Sequence, residues 1–150
     1  MIEIVNGNLM NAKENIIGQQ VNCQGVMGAG VAKQIKSKYY AAYDAYNELV
    51  EHVMPKYLLG RCQIVDIDGN RKIANLFGQL DYGRVGMVYT DYDALRNSLT
   101  ELCWYAEENN LSVALPYNIG CGLANGDWDI VSEIIEDVFS DYEVTLYKLE

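Results

Sequence analysis

Apolar positions along the chain follow two rhythms. Short blocks rich in Ile, Val and Leu, ended by Gly, Asn or Asp, occur at residues 2–7 (IEIVNG), 15–23 (NIIGQQVNC), 60–67 (GRCQIVDI), 71–79 (RKIANLFGQ), 111–118 (LSVALPYN) and 142–149 (YEVTLYKL). Such blocks predict strands. Between them the spacing becomes helical: from Ala29 to about Tyr40, then through Tyr43, Tyr46 and Val50, through Leu95, Leu99, Leu102 and Ala106, and through Trp128, Val131, Ile135 and Val138. The Asp68-Gly69-Asn70 turn between the third and fourth blocks predicts an antiparallel pair. Thr90 followed by Asp93 resembles a capping box and sets the expected start of the third helix. Strands alternating with helices predict a sheet covered on both faces, largely parallel with an antiparallel part.

Length and charge narrow the picture. A chain of 150 residues, half of them hydrophobic, fits a single domain over residues 1–150 with one sizeable core. Eleven basic against twenty-one acidic side chains leave a net charge of −10, which argues against general binding of nucleic acid. Any anionic ligand must therefore be held locally. The four cysteines, Cys23, Cys62, Cys103 and Cys121, lie far apart and only one histidine, His52, could join them, so neither a metal site nor a cofactor is expected. No segment reads as a cleavable leader or as a membrane span of ~20 apolar residues, and the expectation is a cytoplasmic protein with reduced thiols that does not engage membranes.

Two glycine clusters carry the functional signal. Gly25, Gly28 and Gly30 follow the second strand, and Gly120, Gly122 and Gly126 follow the fifth; each cluster leads into a helix. In open α/β sheets ligands sit beyond the carboxyl ends of the strands, where helix N-termini offer unpaired N–H groups and partial positive charge. Glycine lets bare backbone approach a diphosphate closely enough to donate, so no lysine is required. Neither cluster contains a P-loop. GCGLANG is one residue longer than a dinucleotide fingerprint and lies in the last strand–helix–strand unit rather than the first.

VNCQGVMGAGVA and IGCGLANGDW, together with NGNL near the start and NLFGQ in the middle, resemble the macro domain family of ADP-ribose-binding modules over nearly the whole chain. Within the family the chain is most similar to stand-alone ADP-ribose-1″-phosphate phosphatase-like proteins and to terminal ADP-ribose glycohydrolases. The resemblance implies a three-layer α/β/α sandwich around a mixed, mostly parallel six-stranded sheet. It implies ADP-ribose or ADP-ribose-1″-phosphate as ligand, with ADP-ribosylated macromolecules as a further partner class.

By the same resemblance, Val21, Asn22, Gln24, Gly25, Met27, Gly28, Ala29, Gly30, Val31 and Ala32 line the distal ribose and part of the diphosphate. Pro116, Ile119, Gly120, Cys121, Gly122 and Leu123 form the second diphosphate wall. Asn8, Leu9 and Tyr147 lie at the adenine, Asn8 replacing an aspartate common in relatives. Ala32, Gln79 and Ala124 stand where some hydrolytic relatives keep aspartate, lysine and aspartate.

Chemistry is expected from few groups. Asp127, the carboxylate beside the second glycine cluster, could activate a water or cap the following helix. Asn22 and Gln24, neutral amides, suit hydrogen bonding to ribose and water positioning rather than proton transfer. Cys121 stands among backbone donors but without a histidine in its motif, His52 reads as a helix-face residue, and Cys23 reads as buried. The expected activity is hydrolysis of a group linked at the 1″ position, with a non-catalytic ADP-ribose sensor as the alternative and a dinucleotide-binding fragment as a third.

Overall fold

A computed structural model describes residues 1–149. In chain order the strands are β1 (Ile2–Asn6), β2 (Ile16–Asn22), β3 (Cys62–Asp68), β4 (Arg71–Gln79), β5 (Val113–Pro116) and β6 (Val144–Lys148). The helices are α1 (Gly30–Lys38), α2 (Tyr40–His52), α3 (Pro55–Leu58), α4 (Tyr92–Asn109) and α5 (Trp128–Val138). The strands form one six-stranded sheet in the order β1-β6-β5-β2-β4-β3, and among them β3 alone runs antiparallel, paired with β4 across the predicted turn.

Period-two alternation sends neighbouring side chains of each central strand to opposite faces. Ile16, Leu76, Leu115 and Leu146 pack with Leu95, Leu99, Leu102, Val131 and Ile135 of α4 and α5. On the other face Ile17, Ile73 and Ala114 meet Ile35 and Ala42, while Val21 and Phe77 meet Tyr46, all from α1 and α2. The expected sandwich with a mixed, mostly parallel sheet is therefore the fold.

Local signals explain several boundaries. The helical pattern that runs from Ala29 to about Tyr40 and on through Val50 is divided at Tyr39, which joins α1 to α2 with φ −129° and ψ 69°. Asn110 ends α4 in the left-handed region at φ 55°. The α4 cap differs from expectation by one residue: Asp91, not Thr90, accepts the Ala94 N–H at 3.0 Å. Thr90 is buried and serves a loop instead. The short helix α3 and a single 3-10 turn at Leu9–Asn11 carry no periodic signal and are not anticipated by the pattern.

Candidate functional site

Beyond the carboxyl ends of β2, β4 and β5 lies a cleft of about 780 Å³. Gly28, Ala29 and Gly30 line one side and Gly120, Cys121 and Gly122 the other, so both glycine loops open into one space. The N–H groups of Gly28, Ala29, Gly120, Gly122 and Leu123 make no hydrogen bond to protein among the described residues. Helix α1 begins here at Gly30 with Ala29 as its N-cap residue and no side-chain cap, which leaves its first-turn amides and the positive end of its dipole free for a ligand. Backbone amides without protein partners, from two loops and one helix terminus, thus border a single cleft.

Side chains beneath the loops hold this arrangement. Asn22 Nδ2 donates to the Val26 carbonyl at 2.8 Å, and its Oδ1 accepts the Gln24 N–H at 2.9 Å. The Tyr46 hydroxyl lies 2.7 Å from the Asn22 carbonyl oxygen and accepts the Gly25 N–H at 3.1 Å. Gly25 supplies the positive φ of 85° that this turn needs. In the second loop, Thr90 Oγ1 donates to the Gly120 carbonyl at 2.6 Å and accepts from Gln20 Nε2 at 2.9 Å. Gln20 lies in a slot with glycine on both sides: a Cβ on Gly78 would come 2.5 Å, and on Gly120 2.8 Å, from Gln20 Oε1, so either would displace its amide from the present position.

Of the residues expected at the ligand, Val21, Asn22, Gly28, Ala29, Gly30, Val31, Ala32, Pro116, Ile119, Gly120, Cys121, Gly122 and Leu123 border the cleft. The others stand elsewhere. Gln24 reaches away to the Leu80 carbonyl at 3.0 Å, because its backbone N–H is tied to Asn22 and the turn carries its side chain outward. Gly25 forms the turn beneath the rim, and Met27 is 2% exposed with its sulfur 3.8 Å from Gln19 Nε2, an anchor rather than a wall. Asn8 Oδ1 already accepts the Met10 N–H at 2.9 Å, and Leu9 is buried in the core. Tyr147 sits beside Pro116 in the sheet register, its hydroxyl donating to Glu14 at 2.7 Å.

Asp127 lies outside the cleft-lining residues, at the start of α5, where Oδ1 accepts the Asp129 N–H at 2.9 Å. Its geometry is that of a cap. Asn22 does border the cleft, yet both ends of its amide are engaged in holding the loop. The Cys121 thiol is pushed up to about 11, first by burial and then by the charge of Asp127, so it is protonated at neutral pH. His52 is exposed near the end of α2, with Nδ1 2.8 Å from the Glu48 carbonyl.

A third wall escaped the sequence analysis. Tyr82, Gly83 and Arg84, from the loop after β4, complete the cleft together with Gln19, Gln20 and Gln79. That loop is stitched to the second glycine loop: the Tyr89 N–H donates to the Ala124 carbonyl at 2.8 Å and Asn125 Nδ2 to the Met87 carbonyl at 2.8 Å. The available signal was an arginine between Gly83 and Gly86, directly downstream of the NLFGQ motif. Gln79 accepts Gln20 Nε2 at 2.8 Å and donates to the Asp81 carbonyl at 2.8 Å, so its side chain is fixed.

No family model matches the chain. It is 30% identical over 154 residues to a DNA ADP-ribosyl glycohydrolase of Mycobacterium tuberculosis, an alignment covering 98% of this chain and 42% of that protein. The chain thus spans 42% of the length of that curated relative. A solved structure from Bacteroides thetaiotaomicron, described as a protein of unknown function, superposes with a TM-score of 0.87 at 26% identity and covers 99% of this chain and 98% of that one. The macrodomain of Thermus aquaticus DarG superposes with a TM-score of 0.80 at 27% identity, over 98% of this chain and 97% of that one.

Proposed function

This chain belongs to the macro domain family, and from that premise we propose that it binds ADP-ribose through main-chain amides and hydrolyses a derivative of it at the 1″ position. The observation that carries the proposal is that Gly28, Ala29, Gly120, Gly122 and Leu123, whose N–H groups have no protein partner among the described residues, all border one cleft. A pyrophosphate between the loops would receive donors from both sides and from the α1 terminus. Relatives named as glycohydrolases of ADP-ribosylated DNA support hydrolytic chemistry on ADP-ribose. A 1″-phosphate is the substrate group assigned first: water attacks its phosphorus, the bond to the 1″ oxygen breaks, and that oxygen takes up a proton as it leaves, giving ADP-ribose and inorganic phosphate.

The residues bordering the cleft include no carboxylate and no histidine. Catalysis here would rest on amides that hold the water and stabilise charge as it develops, a source of modest rates. That same observation favours a second reading, a non-catalytic sensor of ADP-ribose. Calorimetry with ADP-ribose, NAD, AMP and ATP, followed by a phosphate-release assay on ADP-ribose-1″-phosphate, separates the cases. The proposal expects tight binding of ADP-ribose over the other three nucleotides and measurable release; binding without release leaves the sensor, and preference for NAD contradicts both.

A further inference from the structure

Among the residues bordering the cleft, Arg84 is the one whose side chain carries a formal charge. It forms no hydrogen bond or ion pair with protein among the described residues, whereas Arg96 and Lys72 meet Asp137 and Asp66. A free guanidinium at the mouth of a cleft is notable in a chain of net charge −10. Its loop is not loose. Tyr89 packs its hydroxyl against Gly83, the Tyr89 and Thr90 N–H groups both donate to the Ala124 carbonyl, and Asn125 holds the Met87 carbonyl. The nearby carboxylate of Asp81 is turned to the Tyr82 N–H at 2.8 Å and does not border the cleft.

Strand order fixes the side of the cleft on which Arg84 stands. The sheet runs β6-β5-β2-β4, so the loop after β4 and Tyr147 on β6 lie on opposite sides of the two glycine loops. A pyrophosphate held between the glycine loops, with the nucleoside on the β6 side, would present its distal ribose to Arg84, and the proposal adopts that orientation. We propose that Arg84 is a specificity-determining residue that recognises a phosphate monoester on the distal ribose. This rests on the function proposed above and narrows its substrate class. A phosphate monoester carries about −1.5 to −2 charges at neutral pH and three acceptor oxygens, which a planar guanidinium meets with two parallel N–H donors. Acyl esters and glycosidically linked bases bring no charge to that position, so they gain nothing from Arg84.

The test is titration of the chain with ADP-ribose and with its non-hydrolysable 1″-phosphonate analogue, using the parent, Arg84→Gln and Arg84→Lys. The parent is expected to prefer the phosphonate by about tenfold or more, in keeping with charge-assisted hydrogen bonds. Arg84→Gln is expected to weaken the phosphonate by about tenfold more than it weakens ADP-ribose, so that the preference is lost, and Arg84→Lys restores part of it. Added salt should shrink the preference in the parent, since the pair is solvent-accessible. Equal weakening of both ligands by Arg84→Gln would assign the guanidinium to the pyrophosphate and overturn the proposal, as would a preference that survives the substitution or is missing from the parent. Failure of the parent to bind ADP-ribose at all is a different result: it removes the function on which this inference stands.

Discussion

The hydroxyl of Tyr46 lies 2.7 Å from the carbonyl oxygen and 2.9 Å from Oδ1 of Asn22, linking the middle of α2 to the end of β2 beneath the first glycine loop. Both residues are buried. The Tyr46 hydroxyl is also the acceptor for Gly25, so one oxygen holds the turn together. Tyr46→Phe leaves a buried carbonyl and an N–H short of partners, at a cost of about 1–3 kcal/mol. Urea denaturation reads the loss of stability, and calorimetry should show weaker ADP-ribose binding as the loop loses its register.

Thr90 plays the corresponding part for the second loop, joining Gln20 Nε2 to the Gly120 carbonyl. Thr90→Val keeps the shape and removes both bonds, though Gly126 still donates to Gly120 and Gln79 still accepts from Gln20. A loss of about 1–2 kcal/mol is expected in denaturant, with reduced affinity. Because the two latches lie under different loops and share no partner, the stability effects of Tyr46→Phe and Thr90→Val should add to within about 0.5 kcal/mol.

Asp127 is predicted to act as a cap. Asp127→Ala should cost about 0.5–2 kcal/mol while Asp127→Asn retains most of the stability. Phosphate release per folded molecule should be unchanged in both. Loss of turnover in Asp127→Asn, with folding intact, would return the carboxylate to the reaction.

The thiols give a pH signature. Burial raises Cys23 and Cys121 from the ordinary 9.0 to about 11 and Cys62 to about 12. The folded state therefore keeps protons that the unfolded chain releases, so this contribution is fully present below pH 9 and is lost as pH rises toward 11 and 12. Denaturation midpoints should be insensitive to these groups at pH 7–9 and fall above pH 9. Alkylation of Cys121 at pH 7.5 should be slow, and Cys121→Ser should still bind ADP-ribose.

Sequence pattern revealed the sheet because each strand alternates across two packed faces, and Leu95, Leu99 and Leu102 sit where helical spacing puts them. The two glycine loops were legible because glycine reports backbone need directly. What failed depended on three-dimensional detail. Gln24 and Met27 share a motif with Gly28, but the turn at Gly25 sends one outward and the other into the core. Thr90 read as a cap because local spacing cannot reveal a partner thirty residues away. The wall at Tyr82 and Arg84 has no periodicity, so only its place beside the other loops gives it meaning.

The most direct test of backbone recognition is to add one methyl group where the protein itself has room. A Cβ on Gly122 would meet nothing within 4 Å, so Gly122→Ala should fold with unchanged or slightly higher stability as unfolded-state entropy falls. That methyl would stand in the path of a pyrophosphate approaching the Gly122 amide. Thermal denaturation and ADP-ribose titration of this single variant should show a melting temperature equal to or above the parent's and an affinity lower by about tenfold or more. Undiminished affinity in a stably folded Gly122→Ala protein would contradict the claim that these loops grip the ligand through bare backbone.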